Sequence, residues 1–496
     1  MLPTTVTEAA RRFGDRPAYI TEAGWSLSYA DIDHFSDEVA VGLAHRGVGA
    51  GDVVALVLPP GPEYLLAYCA AAKLGAITAG VNDRLSARER AQVLEIADPA
   101  VVLAAPHLTP DDARSIEIAA ATSPDGSLAE LREQGAAPPL LPPDPDRPIA
   151  IIFTSGTTGV PKGALYCNRQ LAFITRTDVG DAWDGGGRSF TGTSFAHLGF
   201  MTKLPGNLRR GGTNFIMTRW RARAALELLE RERMTTVGGV PAQLALMLRE
   251  PDFDAFDLSS LRFIVTGGGP ITPSLAAEAR ARFDALLATR YSCTEAGIGL
   301  GTAFDDPEED AIVSVGRPHA SVELALRDEA DRDVASSQIG QVCLRSPAVM
   351  REYWHDAEQT AAAFTADGFV RTGDLGWVDD AGRLRLVGRS KEMYVRGGYN
   401  VYPVEVEAVL STHPEVAAVA VVGRPDDVMG EVGIAVVVPR DRARPPELAG
   451  LRAFAAGQLA AFKLPEALHV VDALPLTAME KVDRRALVDE VTKLVT

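Results

Sequence analysis

The run Val53-Val54-Ala55-Leu56-Val57-Leu58, followed by a helical stretch from about Pro62 to Leu74, sets the fold class of this chain. A short, unbroken apolar run reads as a strand buried on both faces, the situation of a parallel sheet covered by helices. The same signal returns at Ala100-Val101-Val102-Leu103-Ala104, Ile149-Ala150-Ile151-Ile152-Phe153, Thr236-Val237-Gly238 and Phe263-Ile264-Val265-Thr266. Helical periodicity lies between, around Ala222–Arg233, Pro241–Arg249 and Pro273–Phe283. This alternation predicts an α/β protein with largely parallel sheets.

From about residue 312 the pieces become shorter and β-rich. Asp379-Asp380-Ala381-Gly382, between Gly376-Trp377-Val378 and Leu384-Arg385-Leu386-Val387, reads as a hairpin. The last hundred or so residues give a compact α+β pattern. A helix follows Pro403, strands lie near Val416–Val422 and Val432–Val438, a helix near Leu448–Ala461, and another helix ends the pattern. Ala136–Arg147, with five prolines, reads as a bridge between subdomains. Gly388-Arg389-Ser390-Lys391 follows a strand and reads as a linker. We therefore expect a large N-terminal domain, 1–388, of α/β subdomains plus a β-rich subdomain, and a small α+β domain, 389–496.

A chain of 496 residues exceeds what one core normally serves. Lys plus Arg number 49 against 66 Asp plus Glu, a net charge of −17, which argues against a general nucleic-acid binder and against docking on anionic membranes. No apolar run approaches the roughly 18 residues that cross a bilayer, and the first residues show no basic and apolar signal pattern. Cys69, Cys167, Cys293 and Cys343 are widely spaced, without a CxxC pair. The expectation is a reduced, cytoplasmic protein without stable membrane insertion or structural zinc.

The densest chemical signal is Phe153-Thr154-Ser155-Gly156-Thr157-Thr158-Gly159-Val160-Pro161-Lys162-Gly163, directly behind a buried strand. Glycines let backbone approach a phosphate chain, hydroxyls and amides donate hydrogen bonds, and Lys162 adds a cation. It is not a Walker loop, which needs Gly-Lys-Ser/Thr after four intervening residues. An ordinary Gly/Thr-rich turn is the bland alternative.

With this loop the chain resembles the acyl-adenylate-forming superfamily of acyl-CoA synthetases, aryl-CoA ligases, luciferases and peptide-synthetase adenylation domains. Its acyl-CoA synthetase and fatty-acid–CoA ligase branch is the nearest likeness. The resemblance runs from Gly51-Asp52-Val53 to Lys481-Val482-Asp483-Arg484. In Arg290-Tyr291-Ser292-Cys293-Thr294-Glu295-Ala296 it implies that Tyr291 lies along adenine, Thr294 bonds the α-phosphate and Glu295 holds Mg²⁺. Gly267-Gly268-Gly269-Pro270 would pass close to the adenine and the acyl group. In Arg371-Thr372-Gly373-Asp374-Leu375-Gly376, Asp374 would take both ribose hydroxyls, with Arg389 adding a ribose or phosphate contact. Lys391 occupies the family's hinge position, about which the small domain is expected to rotate.

Pro475-Leu476-Thr477-Ala478-Met479-Glu480-Lys481-Val482-Asp483-Arg484 resembles the family's Pro-Lys-Thr-x-x-Gly-Lys-Ile-x-Arg, which makes Lys481 the catalytic lysine. Leu476 and Glu480 depart from that pattern, and Glu480 could pair with Lys481 or slow adenylation. His197, in Ser194-Phe195-Ala196-His197-Leu198-Gly199, aligns with an acyl-pocket segment, and a buried structural His is the alternative. Gly238, Gly239 and Ser292 belong to the same pocket. Amino-acid-activating members place an Asp near this segment, yet none occurs between Asp184 and Asp252, which implies an acid without an α-amino group. Gly397 and Gly398, in Arg396-Gly397-Gly398-Tyr399, resemble the glycine loop of the CoA tunnel, with Lys463 and Arg396 as candidate partners for CoA phosphates.

The resemblance thus implies an acid–CoA ligase using ATP, Mg²⁺ and CoA on a non-amino, largely apolar acid, a fatty acid above all. An acyl-AMP ligase loading a carrier protein and a non-catalytic nucleotide-binding homologue are the alternatives, and a homodimer is compatible with any of them.

Overall fold

The computed structural model describes residues 1–154, 161–269, 271–478 and 481–493. The stretch Val53–Val57 is a wholly buried strand, and Pro62–Leu74 is a helix whose residues from Pro62 to Lys73 are all buried. A helix buried on every side is apolar all round, as Leu65-Leu66-Ala67 and Ala70-Ala71-Ala72 are. It ends where Gly75 takes a left-handed φ of 75°.

Around Val53–Val57 a six-stranded sheet forms in the order Ser115–Glu117, Val101–Ala104, Val53–Val57, Ile77–Gly80, Pro148–Thr154 and Lys162–Cys167. All neighbours are parallel except the last pair, which is antiparallel with Thr154 opposite Lys162. The strands that flank the hydroxyl- and glycine-rich segment are therefore antiparallel neighbours.

The second sheet begins with three parallel strands, Thr236–Gly239, Phe263–Gly267 and Leu286–Tyr291, and adds the short antiparallel strands Leu300–Gly301 and Arg317–Pro318. Helices Ala222–Arg231, Pro241–Leu248 and Pro273–Phe283 cover it and share an apolar core through Leu226, Leu244 and Phe283. A four-stranded antiparallel sheet follows, Glu323–Arg327, Gly340–Arg345, Val370–Val378 and Leu384–Arg389, whose last pair is the expected hairpin. Parallel pairing recurs where Thr213–Ile216 lies between Pro17–Ile20 and Arg188–Thr191, whereas the sheet that begins with Glu323–Arg327 is antiparallel throughout.

The C-terminal part is the expected α+β unit. Strands Val416–Asp426 and Gly430–Pro439 form its central hairpin, flanked by helices Pro403–Leu410 and Arg484–Lys493. The helix expected to reach Ala461 stops at Ala455, just before Gly457, a residue with poor helix propensity. No regular element forms across 132–147, in keeping with its prolines. Arg389, expected on the small-domain side, is instead the last residue of a ladder in which it pairs with Asp374.

Among the described residues no helix is long and apolar enough to cross a membrane. Gly316 joins the second sheet to the antiparallel one at φ 84°, and a Cβ there would run into the Gly301 carbonyl. Gly316→Ala is expected to lower unfolding stability by at least about 2 kcal/mol, read from the denaturant midpoint. A change within about 0.5 kcal/mol, typical of neutral surface substitutions, would show that this junction relaxes freely.

Candidate active site

The C-terminal ends of the parallel strands, the antiparallel sheet and the small C-terminal part enclose one cleft of about 2180 Å³. Thr154 and Lys162 bring in the antiparallel strand pair of the first sheet. Ser155, Gly156, Thr157, Thr158 and Gly159, expected to cradle phosphates, lie outside the described residues, as do Pro270, Met479 and Glu480. The Lys162 ammonium sits 4.5 Å from the centre of the Tyr353 ring, and the Tyr353 hydroxyl donates to Glu295 at 2.6 Å. One Glu295 oxygen is thereby held in place. The Thr294 carbonyl is fixed by the Tyr166 hydroxyl at 2.5 Å.

A second cluster surrounds Asp374, only 8% exposed. The Tyr291 hydroxyl donates to one carboxylate oxygen at 2.7 Å, and Arg389 Nε donates to the other at 3.0 Å. A buried carboxylate needs such partners, and the two come from different sheets. Burial, followed by the Asp374 charge, pushes the Tyr291 phenol well above its usual range, so it stays a hydrogen-bond donor.

Lys481 enters this cleft from the C-terminal part. A Cβ on Gly268 would lie 3.8 Å from Lys481 Cε, so the lysine stem passes over the glycine segment 267–269. Burial, and then the positive charge of Arg389, lower the Lys481 pKa from its ordinary 10.5, while Asp374 and Glu392 oppose that shift. The lysine-bearing segment is pinned by Arg484. Its guanidinium donates to both oxygens of Glu407 at 2.7 and 2.9 Å and to the Val421 carbonyl at 2.9 Å, and it pairs with Glu392 at 3.0 Å.

His197, Gly238, Gly239 and Ser292 line the same cleft. His197 Nε2 lies 2.8 Å from the Asn82 amide, and burial, aided by the Lys481 and Arg84 charges, pushes its pKa down to about 4. It is neutral at pH 7. Asp178, next to last in the helix Asn168–Val179, also lines the cleft, although it falls outside the segment that resembles an acyl pocket. It is paired with Lys203 at 3.5 Å and Arg210 at 3.2 Å, so its charge is already matched.

Lys391 is on the cleft wall at the junction of the two parts. Gly397 and Gly398 are not on that wall. They form an exposed turn between Tyr394–Arg396 and Tyr399–Val401, with φ of 55° and 85°. Lys463 and Arg396 are held by Glu405 and Glu466 in this arrangement. The structure therefore presents Lys481 to the cleft and the glycine turn to the outside.

The family model of the AMP-binding enzymes matches residues 6–354, and that of the AMP-binding enzyme C-terminal domain matches 405–481. This chain belongs to the AMP-binding enzyme family. The enzyme is 35% identical over 485 residues to an indoleacetate–CoA ligase of Aromatoleum aromaticum, covering 95% of this chain and 93% of the relative. It is 33% identical over 490 residues to the fatty acid–[acyl-carrier-protein] ligase ScoC of Streptomyces coeruleorubidus, with the same coverage of 95% and 93%. Its fold matches ATP-bound MatB from Rhodopseudomonas palustris with a TM-score of 0.89 over 100% of both chains, at 27% identity.

Arg484→Met strands the Glu407 charge, and losing one partner of a buried pair costs about 3–5 kcal/mol. The C-terminal part of this AMP-binding enzyme is expected to become protease-sensitive at lower denaturant than the rest. Unchanged cleavage kinetics there would show that Arg484 does not pin the Lys481 segment. Asn82→Ala removes the amide partner of the part-buried His197 imidazole, an expected loss of about 1 kcal/mol in unfolding free energy; an unaltered denaturation curve would exclude that contact as a support.

Proposed function

We propose that this enzyme is an ATP-dependent acid–CoA ligase. Its first half-reaction joins a carboxylic acid to ATP, giving acyl-AMP and pyrophosphate. Its second joins acyl-AMP to CoA, giving the thioester and AMP. The observation that carries this reading is the convergence of Lys481, from the small part, on the cleft of Asp374, Glu295 and Lys162.

In this reading Asp374 takes the ribose diol, Tyr291 flanks adenine, and Arg389 adds a ribose or phosphate contact. The Lys162 ammonium and the amides and hydroxyls of 154–159 take the phosphates, with Thr294 at the α-phosphate. Gly267, Gly268 and Gly269 leave room for adenine and acyl group. Lys481 bridges the acid's carboxylate and the α-phosphate, holding two anions together as the carboxylate oxygen attacks phosphorus.

Mg²⁺ commonly uses one or two carboxylates plus phosphate oxygens, without a full protein cage. Among the described residues no group of three His, Cys, Asp or Glu could hold a metal, and Glu295 stands in the cleft with one oxygen bonded to Tyr353. That fits such a shared site. The ion would neutralise phosphate charge.

The acid is a non-amino acid with a largely apolar body, a fatty acid being the leading class. His197, Gly238, Gly239 and Ser292 form its pocket. For thioester formation the small C-terminal domain turns about Lys391 and brings Gly397 and Gly398 to the CoA channel, where side chains would obstruct a thin thiol arm. A carrier-protein thiol is the second reading, favoured by the likeness to ScoC; adenylate accumulating with CoA present, and discharged by carrier protein, would select it.

Lys481→Ala is expected to lower acid-dependent ATP–pyrophosphate exchange by about a hundred- to thousandfold while sparing thioester formation from supplied acyl-AMP. Equal loss of both half-reactions would contradict the role. The ammonium is the active form and is lost as pH rises. Because burial lowers its pKa, the alkaline limb of kcat/KM for exchange should fall below the usual lysine range. Lys481→Arg, which keeps its proton, should remove that limb; a limb that stays put belongs to another group.

A further inference from the structure

Arg290, Lys203 and His319 form a basic part of the cleft wall that the proposed reaction leaves unused. Arg290 precedes Tyr291 on the strand Leu286–Tyr291, so the two side chains point to opposite faces. Tyr291 turns to Asp374, and Arg290 turns to the other side, its backbone paired with Gly267. Lys203 follows the short helix Leu198–Met201, which begins after His197. Six residues of near-helical rise put it roughly 9 Å from His197. The backbone amide of His319 is anchored to the Gly299 carbonyl at 3.2 Å.

The charges here do not balance. Asp178 is the carboxylate paired into this group, and it already meets both Lys203 and Arg210. The Arg290 guanidinium donates through Nη1 to the carbonyls of Thr289 at 2.9 Å and Thr302 at 2.6 Å; among the described residues no carboxylate is in ion-pair contact with it, and Asp178 acts on it only through its charge. Its Nε and Nη2 still carry N–H donors. Donors open to the cleft, next to other cations, favour an incoming oxygen acceptor. Burial lowers the pKa of both Arg290 and His319, and the cations Arg290 and Lys203 add to the shift at His319, while the Asp178 charge opposes both shifts.

We infer that Arg290, Lys203 and His319 form a subsite for an oxygen acceptor, an oxo or carboxylate group, at the distal end of the acid. This rests on the ligase reading and refines it: the acid has an apolar body but a polar far end. An ammonium there would meet like charge.

The test uses full-length enzyme, ATP, Mg²⁺ and three acids of equal length: octanoate, its analogue with a ketone beside the terminal methyl, and octanedioate. The readout is kcat/KM for ATP–pyrophosphate exchange, expressed as the ratio of each acceptor-bearing acid to octanoate. At least one ratio is expected to exceed about ten, the effect of one charge-assisted hydrogen bond. Lys203→Met and Arg290→Met should each compress it by about five- to tenfold, whereas Arg290→Lys should retain part of it. The oxo and dicarboxylate arms distinguish a neutral acceptor from an anion.

Melting curves of the variants separate misfolding from lost recognition, and the Lys203 variant does not disturb the Arg290 carbonyl contacts. Octanoate preferred by the wild type, or ratios unchanged in both methionine variants, would overturn the subsite while leaving the ligase reading intact. Absence of exchange with every acid would count against both.

Discussion

A buried carboxylate holds this active site together. Asp374 is buried, a buried carboxylate needs hydrogen-bond donors, and the donors it finds help to define the cleft. Tyr291 reaches it from the second, parallel-cored sheet, and Arg389 reaches it from the strand beside its own. The first contact fixes the angle between two sheets at the point where nucleotide is proposed to lie. The second fixes the last strand residue before the chain passes into the C-terminal part. Lys481, returning from that part, feels both charges. A single pair of hydrogen bonds therefore couples the two sheets to the position of the lysine.

Much of the fold was legible because its buried strands are apolar runs and its covering helices keep their period, as at Val53–Val57 and Pro62–Leu74. The sheet formed by Ser26–Ser28, Pro17–Ile20, Thr213–Ile216 and Arg188–Thr191 was not, since these strands are short and carry polar residues. Of the site, Lys162, Tyr291, Thr294, Glu295, Asp374, Arg389 and Lys481 line one cleft, while the Gly397-Gly398 motif lies outside it. What escaped is what depends on distant partners. Tyr353 lies 58 residues from Glu295, Tyr166 lies 128 from Thr294, and Asn82 lies 115 from His197. No periodicity links such pairs; only the folded sheet order does. Asp178 likewise comes from a helix outside the segment that resembles an acyl pocket.

Electrostatics explains how a chain of net charge −17 can receive anionic substrates. Lys162, Arg389 and Lys481 converge where phosphates and carboxylate are proposed to meet, and Arg290 and Lys203 extend the positive wall beyond them. Cations gathered at one place between low-dielectric walls draw in anionic ligands there, whatever the molecule's overall charge. The same arrangement sets a demand on the C-terminal part. A buried lysine helps only while it faces anions, and the Arg484–Glu407 pairing carries its segment as a unit with the small hairpin. In the proposed cycle, removal of pyrophosphate weakens what holds Lys481 inward, and the outward-facing Gly397-Gly398 turn becomes free to exchange places with it.

The central claim is that the acid's own oxygen attacks the α-phosphorus of ATP. Acid labelled with heavy oxygen in both carboxylate positions, incubated with enzyme, ATP, Mg²⁺ and CoA, tests it most directly by mass spectrometry of the nucleotide product. The account predicts one heavy oxygen in the phosphoryl group of AMP and none in pyrophosphate. Label appearing in inorganic phosphate alongside ADP, or AMP released without label, would contradict it.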